Sequence, residues 1–161
     1  MKILLLGMSV AIGMAAATAA MAETPLMAPI HQFIDNFDKG DVKAAAKAFA
    51  PGGVAIIDEV PPHSWVGAHA LQQWSKDLAA VSQKAGFTDE AVTLGEATRE
   101  DVNGDRGYVV VPATFTYKEH GTAMREPAQM VYALTNAAGH WLITGWTWVG
   151  GTPQPDTAPA K

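Results

Sequence analysis

The most informative stretch of this 161-residue chain is IHQFIDNFDKGD, residues 30–41. Its apolar residues recur at positions i, i+3, i+4 and i+7, which is the spacing of one face of an amphipathic helix. These residues are Ile30, Phe33, Ile34 and Phe37. Gly40 ends this predicted helix, and Asp41 is a suitable N-cap for a second helix over Val42 to Phe49.

The rest of the chain predicts a strand, a third helix and then a series of antiparallel strands. We expect a short buried strand at Val54 to Ile57 and a loop over Asp58 to Gly67. Leu71, Trp74, Leu78 and Val81 then mark a third helix, which Gly86 ends. Asn103-Gly104 is a strong hairpin signal, and the apolar residues of Arg106 to Lys118 alternate as in a strand. This order predicts an α+β domain, with three N-terminal helices packed on a curved, mostly antiparallel sheet that encloses a cavity.

The last predicted strand is WLITGWTW, residues 141–148, and it carries large apolar residues on both faces. With regular alternation, Trp146 and Trp148 lie opposite Trp141 and Ile143. A strand that is apolar on both faces is covered on both faces. We therefore expect a homodimer formed through the outer face of the sheet, or a C-terminal tail that folds back over this patch.

The two ends of the chain differ in composition from the middle. Residues 1–22 contain Lys2, an apolar run and the small-residue site Ala20-Met21-Ala22, which together are typical of a cleaved secretory signal peptide. An uncleaved membrane anchor is the alternative. We predict a signal peptide over 1–22, one domain over 23–150 and a disordered, proline-rich tail over 151–161. The expected location is periplasmic or secreted, without stable membrane insertion after cleavage.

The composition excludes several classes of function. The chain has 11 Lys and Arg against 16 Asp and Glu and no cysteine. A binder of nucleic acid needs clustered basic residues, and none are clustered here. Without cysteine there is no disulfide, no thiol nucleophile and no thiolate metal site. The sequence also lacks a GxSxG motif, a phosphate-binding loop and a nucleotide fingerprint, so we expect no cofactor.

The order of the elements and several local strings resemble the NTF2-like superfamily, which includes the SnoaL-like polyketide cyclases and the ketosteroid isomerases. The strings are residues 30–41, Phe49-Ala50-Pro51, Trp65-Val66-Gly67 and residues 141–148. The resemblance covers about residues 26–150 and implies that superfamily's cone-shaped fold. It says little about function, since this fold hosts enzymes and non-enzymes alike.

In the isomerase-type members of that superfamily, a tyrosine and a late-strand acid form an oxyanion hole, and a carboxylate after the first strand transfers the proton. Here Phe33 occupies the tyrosine position and cannot donate a hydrogen bond. The late-strand region reads Gln129-Met130-Val131, without a carboxylate. Only Asp58 or Glu59 falls near the position of the base. The resemblance therefore does not extend to ketosteroid isomerase chemistry.

Two residues of the Asp58 to Gly67 loop are candidates for catalysis. Asp58 follows an apolar strand and precedes two prolines, so it is expected at the rim of a pocket, where partial desolvation suits a base. The alternative is a solvated carboxylate that caps a turn. His63 is a candidate proton relay beside Asp58, and its alternative is an ordinary exposed histidine.

Five further residues are candidates for binding a ligand in the cavity. They are Phe33, Trp65, Tyr117, Gln129 and Tyr132. Trp65 is expected to anchor the loop and form part of the pocket wall, and each tyrosine hydroxyl binds either a ligand or a backbone carbonyl. No metal site is expected, because no cluster supplies three ligands at close spacing.

Two functions remain open at the level of sequence. The first is an exported NTF2-like domain that binds a small, largely apolar ligand or a protein partner. The second is a cofactor-free acid–base enzyme, of isomerase, dehydratase or cyclase type, in which Asp58 is the base.

Overall fold

The structure, a computed structural model, describes residues 24–157, so the predicted signal peptide lies outside the described residues. Within that range the chain forms three α-helices and eight strands. The helices are α1 (Met27–Phe37), α2 (Val42–Ala45) and α3 (Ala70–Ala85). The strands are β1 (Val54–Ile57), β2 (Ser64–Gly67), β3 (Phe87–Leu94), β4 (Arg99–Asn103), β5 (Arg106–Glu119), β6 (Thr122–Ala137), β7 (His140–Gly150) and β8 (Gln154–Pro155).

The first two helices form as their patterns predict, although α2 is shorter than expected. The stripe residues Ile30, Phe33 and Ile34 are buried, and Asp41 caps α2 by accepting a hydrogen bond from the Ala44 N–H at 2.8 Å. A single 3-10 turn follows α2 and stops before Phe49, whose backbone is extended. Phe49 forms a bridge with β7, and this tertiary contact ends the helix early.

The third helix is also confirmed, but the three helices are not contiguous at the N-terminus. The hairpin of β1 and β2 lies between α2 and α3. Our prediction of a loop throughout Asp58 to Gly67 is therefore wrong for its second half, because β2 pairs with β1 and places Ser64 opposite Ile57. Helix α3 ends at Gly86, whose left-handed backbone (φ 71°) suits glycine at a helix C-terminus.

All eight strands belong to one curved, mostly antiparallel sheet. The strand order is β2-β1-β7-β6-β5-β3, with β4 paired to β5 and β8 paired to β6. Only β1 and β7 pair in parallel among the described strands. The predicted hairpin at Asn103-Gly104 is confirmed, since Asn103 pairs with Arg106 across a two-residue turn.

A β-bulge in β7 changes which way the closing-strand tryptophans point. The register with β6 shifts between Gly145, opposite Ala133, and Ile143, opposite Leu134. One extra residue on β7 reverses the alternation, because side chains along a strand repeat with a period of two. Trp146 and Trp148 therefore share a face with Ile143 and pack with it on the core. Our prediction that they lie on opposite faces is wrong.

The core lies between α1, α3 and one face of the sheet, which we call the inner face. Its fully buried sheet residues include Ile56, Val109, Val111, Met130 and Tyr132. The opposite face, the outer face, has no helix packed on it among the described elements. Here the side chains of Ile57, Val66 and Val149 are 53%, 75% and 52% exposed.

The described part of the tail differs from the disorder that we expected. Residues Gln154–Pro155 form β8 and pair with Met124 and Arg125 of β6. The Gly151 N–H also donates to the Pro127 carbonyl at 2.8 Å. Because β6 extends beyond its pairing with β7, the tail finds unpaired backbone groups along the same edge. These hydrogen bonds hold the proline-rich residues 151–155 against β6.

Candidate functional site

A cavity of about 320 Å³ lies between α1, α3 and the inner face of the sheet. Its walls are mainly aromatic and aliphatic, with a few acidic residues at the edges. The lining residues include Phe33, Asp38, Asp58, Glu59, Trp74, Ala79, Ser82, Glu90, Phe115, Met130, Trp146 and Trp148. Asp38, Glu59 and Ala79 are exposed, so they mark the mouth of the cavity.

The base of the cavity is a group of packed aromatic rings. Trp146 meets Trp74 edge to face, with ring centroids 4.8 Å apart, and lies 5.8 Å from Phe33. Such contacts fix the rings in place and hold the cavity shape. The Trp146 Nε1–H is buried and has no hydrogen-bond partner within residues 24–157.

Asp58 is the buried carboxylate of this cavity. It follows β1 directly and is only 9% exposed. One carboxylate oxygen accepts from the Val60 N–H at 2.8 Å, and the other accepts from the Trp74 indole N–H at 3.1 Å. Burial raises the pKa of Asp58 above its usual range, and these hydrogen bonds limit the rise. Asp58 therefore lines the cavity and also caps a turn. The sequence analysis had treated these two roles as alternatives.

A second acidic feature lies beside Asp58 and was not expected. The carboxyl of Glu59 hydrogen-bonds that of Glu126, a residue of β6 that is only 3% exposed. Burial, followed by repulsion from Glu126, raises the pKa of Glu59 to about 7. The Trp148 indole N–H donates to Glu126 at 3.0 Å. Glu59 therefore keeps its proton up to about pH 7, beside the carboxyl group of Glu126.

Gly150 makes room for this pair of glutamates. A Cβ atom at position 150 would overlap Glu126 Oε1 and Glu59 Oε2. Any residue larger than glycine would push the two carboxyl groups apart. The end of β7 therefore helps to bring Glu59 and Glu126 together.

The wall at the other side of the cavity is also acidic. Asp38, at the end of α1, accepts from the Val92 N–H of β3 at 3.0 Å, and burial raises the pKa of Asp38. The Ser82 hydroxyl donates to Glu90 at 2.7 Å. These two hydrogen bonds tie α1 and α3 to β3, so they set the width of the cavity.

The two remaining candidates from the loop lie outside the cavity walls. His63 is exposed, has a left-handed backbone (φ 74°) and places Nδ1 3.3 Å from the Asp58 backbone carbonyl. Its ring is therefore held beside the Asp58 backbone, and its electrostatic interaction with the Asp58 carboxyl opposes the rise in the pKa of that group. Trp65 is buried and donates to Asp77 at 2.8 Å, which ties β2 to α3. It acts as the predicted anchor, and the cavity wall does not include it.

The structure places the other four candidate ligand-binding residues in four different places. Phe33 lines the cavity as expected. Tyr117 is buried outside the cavity wall, packed on Phe115 with ring centroids 4.9 Å apart. Gln129 lies on the outer face, since it alternates with the inward-facing Met130. Tyr132 is fully buried in the core, where its hydroxyl contacts the Met130 sulfur at 3.1 Å.

The sequence analysis missed Glu126 and Trp148 as members of the site. Glu126 is separated from Glu59 by most of the sheet along the chain, and no local spacing links them. One signal was available: a glutamate at an inward position of an otherwise apolar strand is uncommon without a partner.

No group of three or more His, Cys, Asp or Glu side chains within residues 24–157 is arranged to hold a metal ion. Nor does any helix in that range have the length and apolar character that a membrane span requires.

No protein-family model and no curated protein matches this chain in sequence. Many solved structures share its fold. An NTF2-like superfamily protein from Salmonella enterica serovar Typhimurium is 14% identical, with a TM-score of 0.61 over 83% of this chain and 92% of its own. A hexachlorocyclohexane dehydrochlorinase from Novosphingobium barchaimii is 12% identical, with a TM-score of 0.65 over 82% and 90%.

A further similar structure is a putative scytalone dehydratase from Novosphingobium aromaticivorans, which is 10% identical, with a TM-score of 0.62 over 82% of this chain and 85% of its own. Together these likenesses show that the chain has the NTF2-like fold. At this level of identity they show the fold alone, and the function must be argued from the cavity.

Proposed function

We propose that this chain binds a small, largely apolar molecule that contains at least one ring. The binding site is the cavity between α1, α3 and the inner face of the sheet. The observation that carries the proposal is the composition of the walls. Aromatic rings surround a space of about 320 Å³, and one buried carboxylate, Asp58, supplies a fixed polar contact. Concave, mostly apolar sites with a few placed polar groups are typical of small-molecule binding.

The size of the cavity sets the expected affinity. Burying about 150 Å² of aromatic surface contributes about 4 kcal/mol, which corresponds to a dissociation constant near the millimolar range. A two-ring ligand buries more surface and is expected to bind more tightly. The proposal therefore concerns ligands with at least one ring and a short polar substituent.

The test uses 2-(1-naphthyl)ethanol, a neutral two-ring probe, and a variant that fills the mouth of the cavity. Ala79→Phe places a ring in the mouth, since Ala79 is an exposed lining residue of α3. Ala80→Phe is the matched control, because Ala80 is exposed and is not among the lining residues. NMR titration should show binding to the wild type and to Ala80→Phe, and about tenfold weaker binding to Ala79→Phe. Equal binding to all three proteins would contradict the proposal.

A second candidate function is acid–base catalysis on the bound molecule. The observation that favours it is the position of Asp58, a carboxylate in an aromatic wall with a raised pKa, which is the environment of a general base. Two of the similar structures are a putative dehydratase and a dehydrochlorinase. In this candidate Asp58 removes a proton from carbon, and the neighbouring glutamate pair supplies a proton to the developing oxyanion.

The catalytic candidate is tested with 2-tetralone, a two-ring ketone with acidic C–H bonds. In D₂O the wild type should accelerate exchange of the protons next to the carbonyl, as followed by proton NMR. Asp58→Asn should lose that acceleration and still bind the ketone, because the walls are unchanged. If exchange in the presence of the wild type equals exchange in buffer, binding alone remains as the proposed function.

A further inference from the structure

The cavity has an unbalanced charge. Four of its lining residues are acidic: Asp38, Asp58, Glu59 and Glu90. Among the described residues that line it, none is lysine, arginine or histidine. The described ion pairs of the chain lie elsewhere, on exposed parts of β3, β4 and β5. The negative charge of the cavity therefore has no basic side chain in the walls to balance it.

The imbalance is greatest beside Asp58, where Glu59 and Glu126 meet. Among the described residues, the side-chain N–H groups that donate to these carboxyl groups are two indoles, Trp74 on Asp58 and Trp148 on Glu126, and the Val60 backbone N–H also donates to Asp58. A neutral N–H group does not neutralise a carboxylate. Glu59 instead retains a proton up to about pH 7, because burial and repulsion from Glu126 and Asp58 oppose its ionisation.

The aromatic walls add a second attraction for positive charge. Trp74, Trp146 and Trp148 all line the cavity, close to the acidic end. The face of an indole ring attracts an ammonium group, and this attraction is strongest where water is excluded. Phe33 and Phe115 continue the same wall and suit the apolar body of a ligand.

We propose that the cavity selects an organic cation, an ammonium group carried on an apolar body with at least one ring, with the ammonium held by Asp58 and Glu59 in the cavity wall. Glu126 lies beside Glu59 outside the wall and adds its negative charge there. This inference rests on the proposed function, since it names the class of ligand for the same cavity. An anionic ligand is rejected, because it would add charge to a site that already repels its own carboxylates.

Three probes with the same ring system and different charge test the proposal. They are 2-(1-naphthyl)ethylamine, 2-(1-naphthyl)ethanol and 1-naphthylacetate, each titrated into the mature protein at pH 7.5 and followed by NMR. The amine should bind about tenfold more tightly than the alcohol, and the acetate about tenfold more weakly than the alcohol. An alcohol that binds as tightly as the amine, or an acetate that binds best, would overturn the proposal and leave the proposed function intact.

Glutamine variants separate the effect of charge from that of shape. Glu59→Gln and Glu126→Gln should each weaken binding of the amine and leave binding of the alcohol unchanged. Glu96→Gln is the control, because Glu96 is exposed and lies outside the cavity walls. Equal loss of amine and alcohol binding in the variants would show a structural role for the pair and overturn the inference. If none of the three probes binds the wild type, the proposed function fails together with the inference.

Binding of the amine should also favour loss of the proton on Glu59. Its affinity should therefore rise with pH from about 6 to 8, as Glu59 loses its proton near pH 7. The groups that face Glu59 are Asp58 and Glu126, with Tyr117 and the Trp148 indole near the same pair. Binding of the alcohol should be independent of pH in this range. An amine affinity that falls from pH 6 to 8 would contradict the proposal that the ammonium group binds beside Glu59.

Discussion

Asp58 and Glu59 are adjacent in sequence, and the structure gives their carboxyl groups different surroundings. Asp58 turns into the cavity wall, where two N–H groups donate to it. Glu59 lies at the mouth, where its nearest acidic partner is the buried Glu126. The two N–H groups limit the rise in the pKa of Asp58 that its burial causes, whereas repulsion from Glu126 adds to the rise in the pKa of Glu59. Neighbouring acids whose surroundings differ in this way are suited to separate roles in one site.

The raised pKa of Glu59 predicts that the protein is less stable at neutral pH than in mild acid. The pKa in the folded state is about 7, above the ordinary value of 4.5. The stabilisation is therefore complete below about pH 4.5 and is lost as the pH rises through 7. Glu59→Gln removes this group, so its free energy of unfolding should fall less between pH 5 and 8 than that of the wild type. Urea unfolding at several pH values measures the difference.

Asp38 and Asp58 also have raised pKa values, and they change stability with pH in the same direction. The difference between wild type and Glu59→Gln isolates Glu59. Glu96→Gln, at an exposed loop position, is the matched control and should follow the wild type. Parallel pH profiles for all three proteins would contradict the pairing of Glu59 with Glu126.

At the scale of the elements, the patterns within a helix or a hairpin were sufficient to predict structure, and contacts between distant strands were not. The stripe of α1, the Gly86 end of α3 and the Asn103-Gly104 turn all depend on neighbouring residues. Strand β2, the bulge in β7 and strand β8 depend on partners far away in the chain.

The bulge in β7 has a sequence signal in Gly145. Gly145 lies inside the strand, and glycine in a strand often marks a bulge or a close approach of two backbones. A Cβ atom at Gly145 would lie 2.8 Å from the Ala55 carbonyl oxygen of β1. The missing side chain therefore allows β1 to pair with β7, and the bulge turns Trp146 and Trp148 into the core.

We predict that Gly145→Ala destabilises the protein by about 1–3 kcal/mol, the usual cost of overpacking. The added methyl group would push β1 away from β7 and disturb the position of Asp58, which follows β1. Gly95→Ala is the control, because a Cβ at Gly95 makes only ordinary contacts with Pro112. Thermal and urea unfolding compare the two variants. Equal stability of Gly145→Ala and Gly95→Ala would show that the pairing of β1 with β7 does not require glycine at position 145.

For the whole molecule, the sequence was enough to predict an α+β fold of NTF2-like type, and only part of the site. Asp58 and Phe33 were identified because each stands at a recognisable place, after a strand and on a helix stripe. Glu126 and Trp148 join them only when β6 and β7 are aligned. Gln129 was assigned to the cavity, and the alternation along β6 places it outside. Residues that meet through sheet register cannot be read from local spacing.

The outer face of the sheet now gives the reason to expect a homodimer. Trp146 and Trp148 no longer support it, because both pack on the core. Ile57, Val66 and Val149 remain exposed on the outer face. We predict that the mature chain is a dimer at micromolar concentration and that Val66→Glu makes it a monomer, since burying a charge in an apolar interface is unfavourable.

Sedimentation equilibrium distinguishes the two states. The control is Val102→Glu on β4, where Val102 is 59% exposed. Strand β4 pairs with β5, so β5, β6 and β7 separate it from β1 and β2. This variant should remain a dimer. A wild-type mass equal to that of one chain would contradict the prediction.

Export is a separate prediction for the whole molecule, and it rests on residues 1–22. We predict that the mature protein begins at Glu23, after the Ala20-Met21-Ala22 site. Intact-mass measurement on protein from the native cell envelope or medium should show the loss of the first 22 residues. A mass that includes the apolar run would support the membrane-anchored alternative.

The most direct test of the cavity as a ligand site uses the indole N–H signals of the five tryptophans. Three of them line the cavity, Trp74, Trp146 and Trp148, while Trp65 and Trp141 do not. In a ¹⁵N-labelled mature protein titrated with 2-(1-naphthyl)ethylamine, the signals of the first three should shift with one common dissociation constant. The signals of Trp65 and Trp141 should stay in place. Shifts confined to Trp65 and Trp141, or no shift at saturating probe, would contradict the account.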